Sequence, residues 1–458
     1  MGYGDITRFS KTQSFYLALM FFVFFMVSAG IHTSYTAEDE QVTQIAKLLA
    51  DDGSADNQFG YSVSVDGNYA LVGAYLGGDN GTNSGSAYIF KRNGETWTQT
   101  DKITANDGAT NDYFGCSVSL NGDYALVGAY MDDDNGSDSG SAYIFKRSGE
   151  TWTQTDKITP NEWGTSDTFG YSVSLNGDYA LVGASRDDDN GSSSGSAYVF
   201  KRSGETWTQT DKITPNDGGT NDHFGCSVSL NGDYALVGAY MDDDNGSSSG
   251  SAYIFKRNGE IWLQTDKILS DDGTIADFFG CSVSLSGDCA LVGAYADDDK
   301  GSDSGSAYIF KRSGETWTQT DKITPNDGGT NYYFGYSVSL NGDYALVGAS
   351  LDDDNGTNSG SAYIFKRNGE TWTQAYKLVP DDGAMGDQFG GSVSLSGDYA
   401  LVGAYADDDN GSDSGSVYIF QVKEDENDAG GDSGGSGGGD GSGDCFIKAL
   451  TPYHSSQF

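Results

Sequence analysis

The sequence predicts an all-β fold, and three observations carry that prediction. The dipeptide Phe-Gly recurs at Phe59, Phe114, Phe169, Phe224, Phe279, Phe334 and Phe389, a step of 55 residues each time, with no insertion between copies. A fixed period of this kind makes each copy one supersecondary unit. Within a copy the apolar runs are short, rich in Val, Ile, Tyr, Phe, Trp and Thr, and bounded by clusters of Gly, Asn, Asp and Ser, which is the pattern of strands. No run has the length and periodicity of a useful amphipathic helix.

Each copy supplies four strands in order. The first reads F-G-x-S-V-S and the second Y-A-L-V-G-A. Between them lies a tight turn, as in "LNGDY" of residues 120–124, where Asn-Gly tolerates positive φ. An acidic loop follows, as in "YMDDDNGSDSG" of residues 130–140, and leads into the third strand, G-S-A-Y-I-F-K-R. A short Ser-Gly or Asn-Gly turn then gives the fourth, W-T-Q-T-D-K-I.

The fourth strand follows only six Phe-Gly units, at Trp97, Trp152, Trp207, Trp262, Trp317 and Trp372. "VTQIAKL" (Val42–Leu48) aligns with it at the same offset, upstream of the first unit. The chain from 42 to 422 is therefore predicted to be a seven-bladed β-propeller of four-stranded antiparallel blades, with Val42–Leu48 completing the last blade. Such closure leaves only short, protected strand edges.

The Phe-Gly at the head of each copy and the "LVGAY" or "LVGAS" in its middle resemble the FG-GAP repeat, over residues 42–422. The family's Gly-Ala-Pro is Gly-Ala-Tyr or Gly-Ala-Ser here, as at Gly73-Ala74-Tyr75. The resemblance implies the propeller of integrin alpha chains and bacterial surface proteins, an adhesive or binding role, and bound calcium.

Net charge is −42, from 67 acidic against 25 basic residues. Nucleic acid is excluded as a partner, because phosphate binding needs a basic surface. Cations and basic partners are favoured. Residues 1–30 read as a secretory signal: Arg8 and Lys11 precede an apolar stretch, and Val27-Ser28-Ala29 suits cleavage. That stretch is short for a membrane span, so the mature form is expected to have none; an uncleaved anchor is the alternative. Residues 31–41 form a short lead-in. Residues 423–458 have the composition of a disordered Gly/Ser/Asp-rich tail, with Cys445 as a candidate attachment residue. Cys116, Cys226, Cys281 and Cys289 replace strand residues of other copies and read as small apolar fillers.

Antiparallel connectivity puts the loops after strands one and three at one end of each blade and those after strands two and four at the other. The second set are the long ones, so one face is expected to carry every acidic loop and the function. Asp79, Asp134, Asp189, Asp244, Asp299, Asp354 and Asp409 share one loop position. An aspartate pair precedes six of them, and Gly77-Gly78 precedes the first. The shared Asp could cap the turn through its own backbone. The alternative is calcium, which takes six to eight oxygens from carboxylates, carbonyls and water. Its candidate ligands are those seven residues with Asp132, Asp187, Asp242, Asp297, Asp352 and Asp407, and with Asp138, Asp303 and Asp413. The family's calcium loop lies between Phe-Gly and Gly-Ala, where this chain has only a hairpin turn; the aspartates sit in the next loop.

Departures from the repeat point to a specific site. Arg186 is the only basic residue at its loop position, and Glu162-Trp163 replaces Asp-Gly in the loop before the same blade. Trp163 and Arg186 are therefore candidate partner-binding residues, expected to be neighbours. His223, Tyr332 and Tyr333 are further one-off residues of that face. The leading reading is a secreted or cell-surface, non-catalytic binding or adhesion module, calcium-supported, whose partner is an extracellular protein or glycan of basic character. A structural or solubilising propeller without a ligand is the alternative, and an extracellular enzyme the third reading. Three histidines, His32, His223 and His454, provide no repeated metal centre and no catalytic arrangement.

Overall fold

A computed structural model describes residues 42–422. The expected signal, the lead-in and the tail with Cys445 lie outside the described residues.

Blade one shows how local sequence becomes structure. Strands Ser62–Asp66 and Tyr69–Ala74 join through Gly67, held at φ +58°. Ser86–Asn93 and Thr96–Ile103 join through Gly94, at φ +65°. Both turns need a left-handed residue, which glycine adopts without steric cost. The described residues contain 28 strands in seven four-stranded antiparallel sheets, six of them in chain order from the axis outwards.

The exception to chain order is the predicted one. Val42–Leu48 pairs antiparallel with Ser416–Val422, so the first strand of the chain is the outer strand of the seventh blade. It carries the same irregularity as the other outer strands. Its register shifts between Gln44 and Ala46, as the blade-one pairing shifts between Ile89 and Phe90. The two segments are thus equivalent in geometry as well as in sequence.

The innermost strands touch one another around the axis. Ser62–Asp66 lies beside Ser117–Asn121 on one side and beside Phe389–Ser396 on the other. The hydrophobic core lies between blades. One cluster joins Leu71, Ile89 and Ile103 of blade one to Phe114, Val127, Tyr143 and Trp152 of blade two. The others repeat it around the ring.

The motif glycines make that contact close. A Cβ on Gly115 would meet the Ser86 carbonyl oxygen at 2.5 Å, and Gly115 sits at φ +92°. A Cβ on Gly128, of the Gly-Ala pair, would lie far inside contact distance of the Gly170 carbonyl oxygen of the next blade. The Gly-Ala of one blade therefore packs on the Phe-Gly of the next, which is why both recur. Ser62 Oγ donates to the Gly115 carbonyl at 2.8 Å, and Ser117 Oγ to Gly170 at 2.8 Å, in the same seam.

Candidate binding face: acidic loops and an axial collar

The acidic loops and the loops entering each blade interlock at one end of the ring. Asn111 N–H donates to the Thr82 carbonyl at 2.9 Å, and Tyr113 N–H to Asn83 at 3.1 Å. The face expected to carry the long loops does so.

Within a loop the aspartates divide their work. Asp132 is 2 % exposed and accepts from Tyr143 Oη at 2.6 Å, from Ser141 Oγ at 3.1 Å and from the Asp134 N–H at 3.1 Å. Asp187, Asp242, Asp297, Asp352 and Asp407 are buried in the same way and accept from Tyr198, Tyr253, Tyr308, Tyr363 and Tyr418. The middle aspartate closes the turn: Asp133 accepts the Asp138 N–H at 2.8 Å. Turn capping thus falls to Asp132 and Asp133, not to the shared Asp134. Asp138, Asp303 and Asp413 stand apart, with Ser137, Ser302 and Ser412 hydroxyls beside their carboxylates.

The shared aspartate binds a lysine. Asp79, Asp134, Asp189, Asp244, Asp299, Asp354 and Asp409 pair with Lys102, Lys157, Lys212, Lys267, Lys322, Lys377 and Lys47. Each lysine comes from the end of an outer strand, in D-K-I for five of them, Y-K-L for Lys377 and A-K-L for Lys47. Burial opposes the Lys157 charge, but hydrogen bonds to Asp107, Asp134 and Asp132 outweigh it and hold the ammonium above the usual lysine range. A calcium ion needs its oxygens at 2.3–2.6 Å around an empty centre. Here an ammonium group is that centre, so these residues do not fit calcium. The lysine is identical in all seven copies, and that was the sequence signal for it.

A second set of buried carboxylates went unread in the sequence. Asp112 is 5 % exposed and accepts one backbone N–H, from Ala109 at 2.6 Å. Asp167, Asp222, Asp277 and Asp387 repeat the arrangement with Gly164, Gly219, Thr274 and Ala384. Burial pushes Asp112 up to about 6, with Asp132 and Asp133 adding to it against the Ala109 N–H and Lys157. Burial raises the other four as well.

These shifts set a pH dependence. Between an unfolded-state value of about 3.9 and its raised folded value, Asp112 holds a proton that the unfolded chain has released, so stability rises as pH falls through that window. Asp52, Asp107, Asp217, Asp272, Asp327 and Asp382 have the opposite sign. Burial raises them, but the lysine hydrogen bonds prevail and depress them. Their stabilisation is present above about 4 and lost below it. The thermal midpoint should therefore increase from pH 8 to about 5 and fall towards pH 3. A midpoint that decreased steadily from pH 8 downwards would contradict this assignment.

At the axis the same face carries a collar of aromatic rings. Tyr61 lies 4.1 Å from Tyr75, Tyr75 5.6 Å from Tyr113, and Tyr113 stacks on Tyr130 at 5.5 Å. Tyr130 meets Tyr171 edge-on at 5.6 Å. Beyond blade three the chain of rings resumes through His223, Tyr240, Phe278, Tyr295 and Tyr336. Tyr61 and Tyr405 adjoin at 5.6 Å across the closing blade. Burial raises the Tyr61 phenol, and Tyr336 and Tyr171 are near enough to raise it further, so blades one, three and six converge on the axis. Tyr171 is nevertheless 45 % exposed and Tyr336 39 %. Cys116 and Cys226 are buried and Cys281 half-buried at the equivalent positions; all three are free thiols. His223 and Tyr333 stand out in the sequence as departures but the collar does not, because each blade gives it only one or two rings.

Of the two candidate partner residues, Arg186 belongs to this collar. Blade three has Ser185 where neighbouring blades have Tyr130 and Tyr240, and the charge of the exposed Arg186 acts on Tyr130, Tyr240 and His223. Trp163 is 53 % exposed and lines a cleft of about 260 Å³ with Asp187, Asp188, Asp189 and Lys212. A cleft of about 560 Å³ opens in blade one, where Gly78 and Asn57 stand in place of carboxylates. Tyr332 occupies the buried-aspartate position of blade six, beside Gly329. Among the described residues no helix is long and apolar enough to cross a membrane.

No curated protein matches the chain. The family model described as the FG-GAP repeat matches it seven times, over residues 42–90, 97–145, 152–200, 207–255, 262–310, 317–365 and 372–420. Each match runs from an outer strand through Phe-Gly and Gly-Ala to the third strand of the next blade, and together they take in well over half of the sequence: the chain belongs to the FG-GAP repeat family.

Proposed function

We propose that this propeller is a non-catalytic binding module of the cell exterior, and that it holds a basic segment of a protein partner on its axial collar. The observation that carries the reading is the collar of tyrosines at the centre of an acidic face, half-buried except at Tyr171 and Tyr336, which are exposed. A lysine or arginine side chain over a tyrosine ring gains about 0.5–2 kcal/mol, more as it is desolvated, and the surrounding carboxylates steer it inwards. Arg186 repels a cation from the blade-three side, so the basic group is directed towards Tyr61 and Tyr336. Trp163 supplies an apolar contact at the rim. The extracellular location rests on the N-terminal apolar segment and on the habit of the family.

The non-catalytic reading is supported by the state of the titratable groups. His223, the one histidine among the described residues, stacks on Tyr240 at 5.5 Å, and burial with Arg186 holds it in the neutral form. The buried loop carboxylates are already engaged by tyrosine, lysine and backbone donors.

Titration with a hexa-arginine peptide, followed by protein fluorescence, tests the proposal. The Tyr61→Ala/Tyr171→Ala/Tyr336→Ala variant should bind at least about tenfold more weakly, a loss of roughly 1.4 kcal/mol, with little change in melting. Arg186→Glu should bind more tightly than the parent chain. Equal affinity for all three proteins would reduce the interaction to the general charge of the crown and favour the ligand-free structural reading.

A further inference from the structure

We infer that the seven outer-strand lysines stand in place of bound cations, so that this propeller closes and stays folded without calcium or any other divalent ion. In blade two Lys157 Nζ lies 2.9 Å from Asp107 and 3.0 Å from Asp132, and also pairs with Asp134. Lys267 and Lys322 repeat the three-carboxylate arrangement, at 2.9 and 3.1 Å and at 2.7 and 3.0 Å for the first two partners. The lysine is fixed from below as well as above. The outer-strand register sets Lys157 opposite Tyr143, whose ring lies 5.1 Å from Nζ and whose hydroxyl binds the same Asp132. One ammonium thus joins two loops of the long-loop face, which is the task a calcium ion performs where carboxylates have no internal cation.

The blades that depart from the repeat support the assignment. Blade one has lost the buried aspartate to Gly77, and Lys102 keeps Asp52 and Asp79. In blade three Glu162 occupies the place of Asp107, and Lys212 keeps Asp187 and Asp189. The lysine stays while its carboxylates vary, as expected if the fixed charge is the organising element.

The test is thermal unfolding of the full chain in 5 mM CaCl2, in 5 mM MgCl2 and in EDTA. The three curves should superimpose for the parent protein. A midpoint raised by calcium but not by magnesium would overturn the inference, since only a native-state site stabilises by mass action. Lys157→Ser should melt lower in EDTA and recover in calcium, because three carboxylates then face a vacant centre. Lys102→Ser, left with two carboxylates, should melt lower and recover less. Lys157→Ser that folds and shows no calcium response would also overturn the inference. Should that variant fail to fold, the parent curves decide alone.

Discussion

Gly115→Ala is expected to lower stability by about 3 kcal/mol. Two costs add. An alanine at φ +92° pays about 1–2 kcal/mol for the left-handed backbone. The new Cβ would sit 2.5 Å from the Ser86 carbonyl oxygen, a main-chain atom of the preceding blade that cannot swing aside. Such overpacking costs about 1–3 kcal/mol. Two comparisons separate the terms. Gly122 has φ +59° and nothing within 4 Å of its absent Cβ, so Gly122→Ala should show the backbone cost alone. Gly128 has no positive φ but faces the Gly170 carbonyl, so Gly128→Ala should show the crowding alone. Urea midpoints of the three variants give the order. If Gly115→Ala were no worse than Gly122→Ala, the blade seam would not be the reason for the Phe-Gly motif.

Removal of residues 42–48 should have the larger effect on the state of the molecule. The strand Ser416–Val422 would become an unpaired edge of the seventh blade. Leu48, 3 % exposed, would no longer fill the cluster it shares with Phe59 and Val417. Burial of one such side chain contributes about 1.5–3 kcal/mol. Lys47 would leave Asp382, Asp407 and Asp409, and Asp407 would remain buried without its cation. A buried carboxylate stripped of its partner costs about 3–5 kcal/mol. An exposed edge also pairs with other chains, so size-exclusion chromatography should show larger species than the parent chain gives. A synthetic peptide of residues 42–48 added in trans should restore the parent elution volume. A truncated chain that eluted and melted like the parent would show that the ring closes through blade-to-blade packing without the latch.

Much of this was legible along the chain. Strand pairing inside a blade depends on neighbours a few residues away, and Gly67 or Gly94 marks its turns. The closure by Val42–Leu48 was readable because an outer strand carries a recurrent pattern and one copy of it was displaced. The long-loop face followed from antiparallel connectivity alone. The chemistry of that face was not. Asp134 meets Lys157 across the third strand of its blade, and the 55-residue period that aligns both says nothing of their contact. The aspartates therefore read as free ligands until the outer strand was folded back over them.

The collar shows the same division. Tyr61 and Tyr405 are more than three hundred residues apart in sequence, and only the closed ring brings their side chains to 5.6 Å. Arg186 and Trp163 were legible as departures from the repeat, but that Arg186 lies by Tyr130, Tyr240 and His223 while Trp163 lines the cleft with Asp188 and Lys212 was decided by the fold. The sequence by itself determined a seven-bladed, FG-GAP-type ring, its latch and its working face, because periodic packing is written into each copy. Tertiary structure alone decided that the acidic loops hold lysines and that the axis is aromatic. Both depend on distances between blades and between strands, which no single repeat contains.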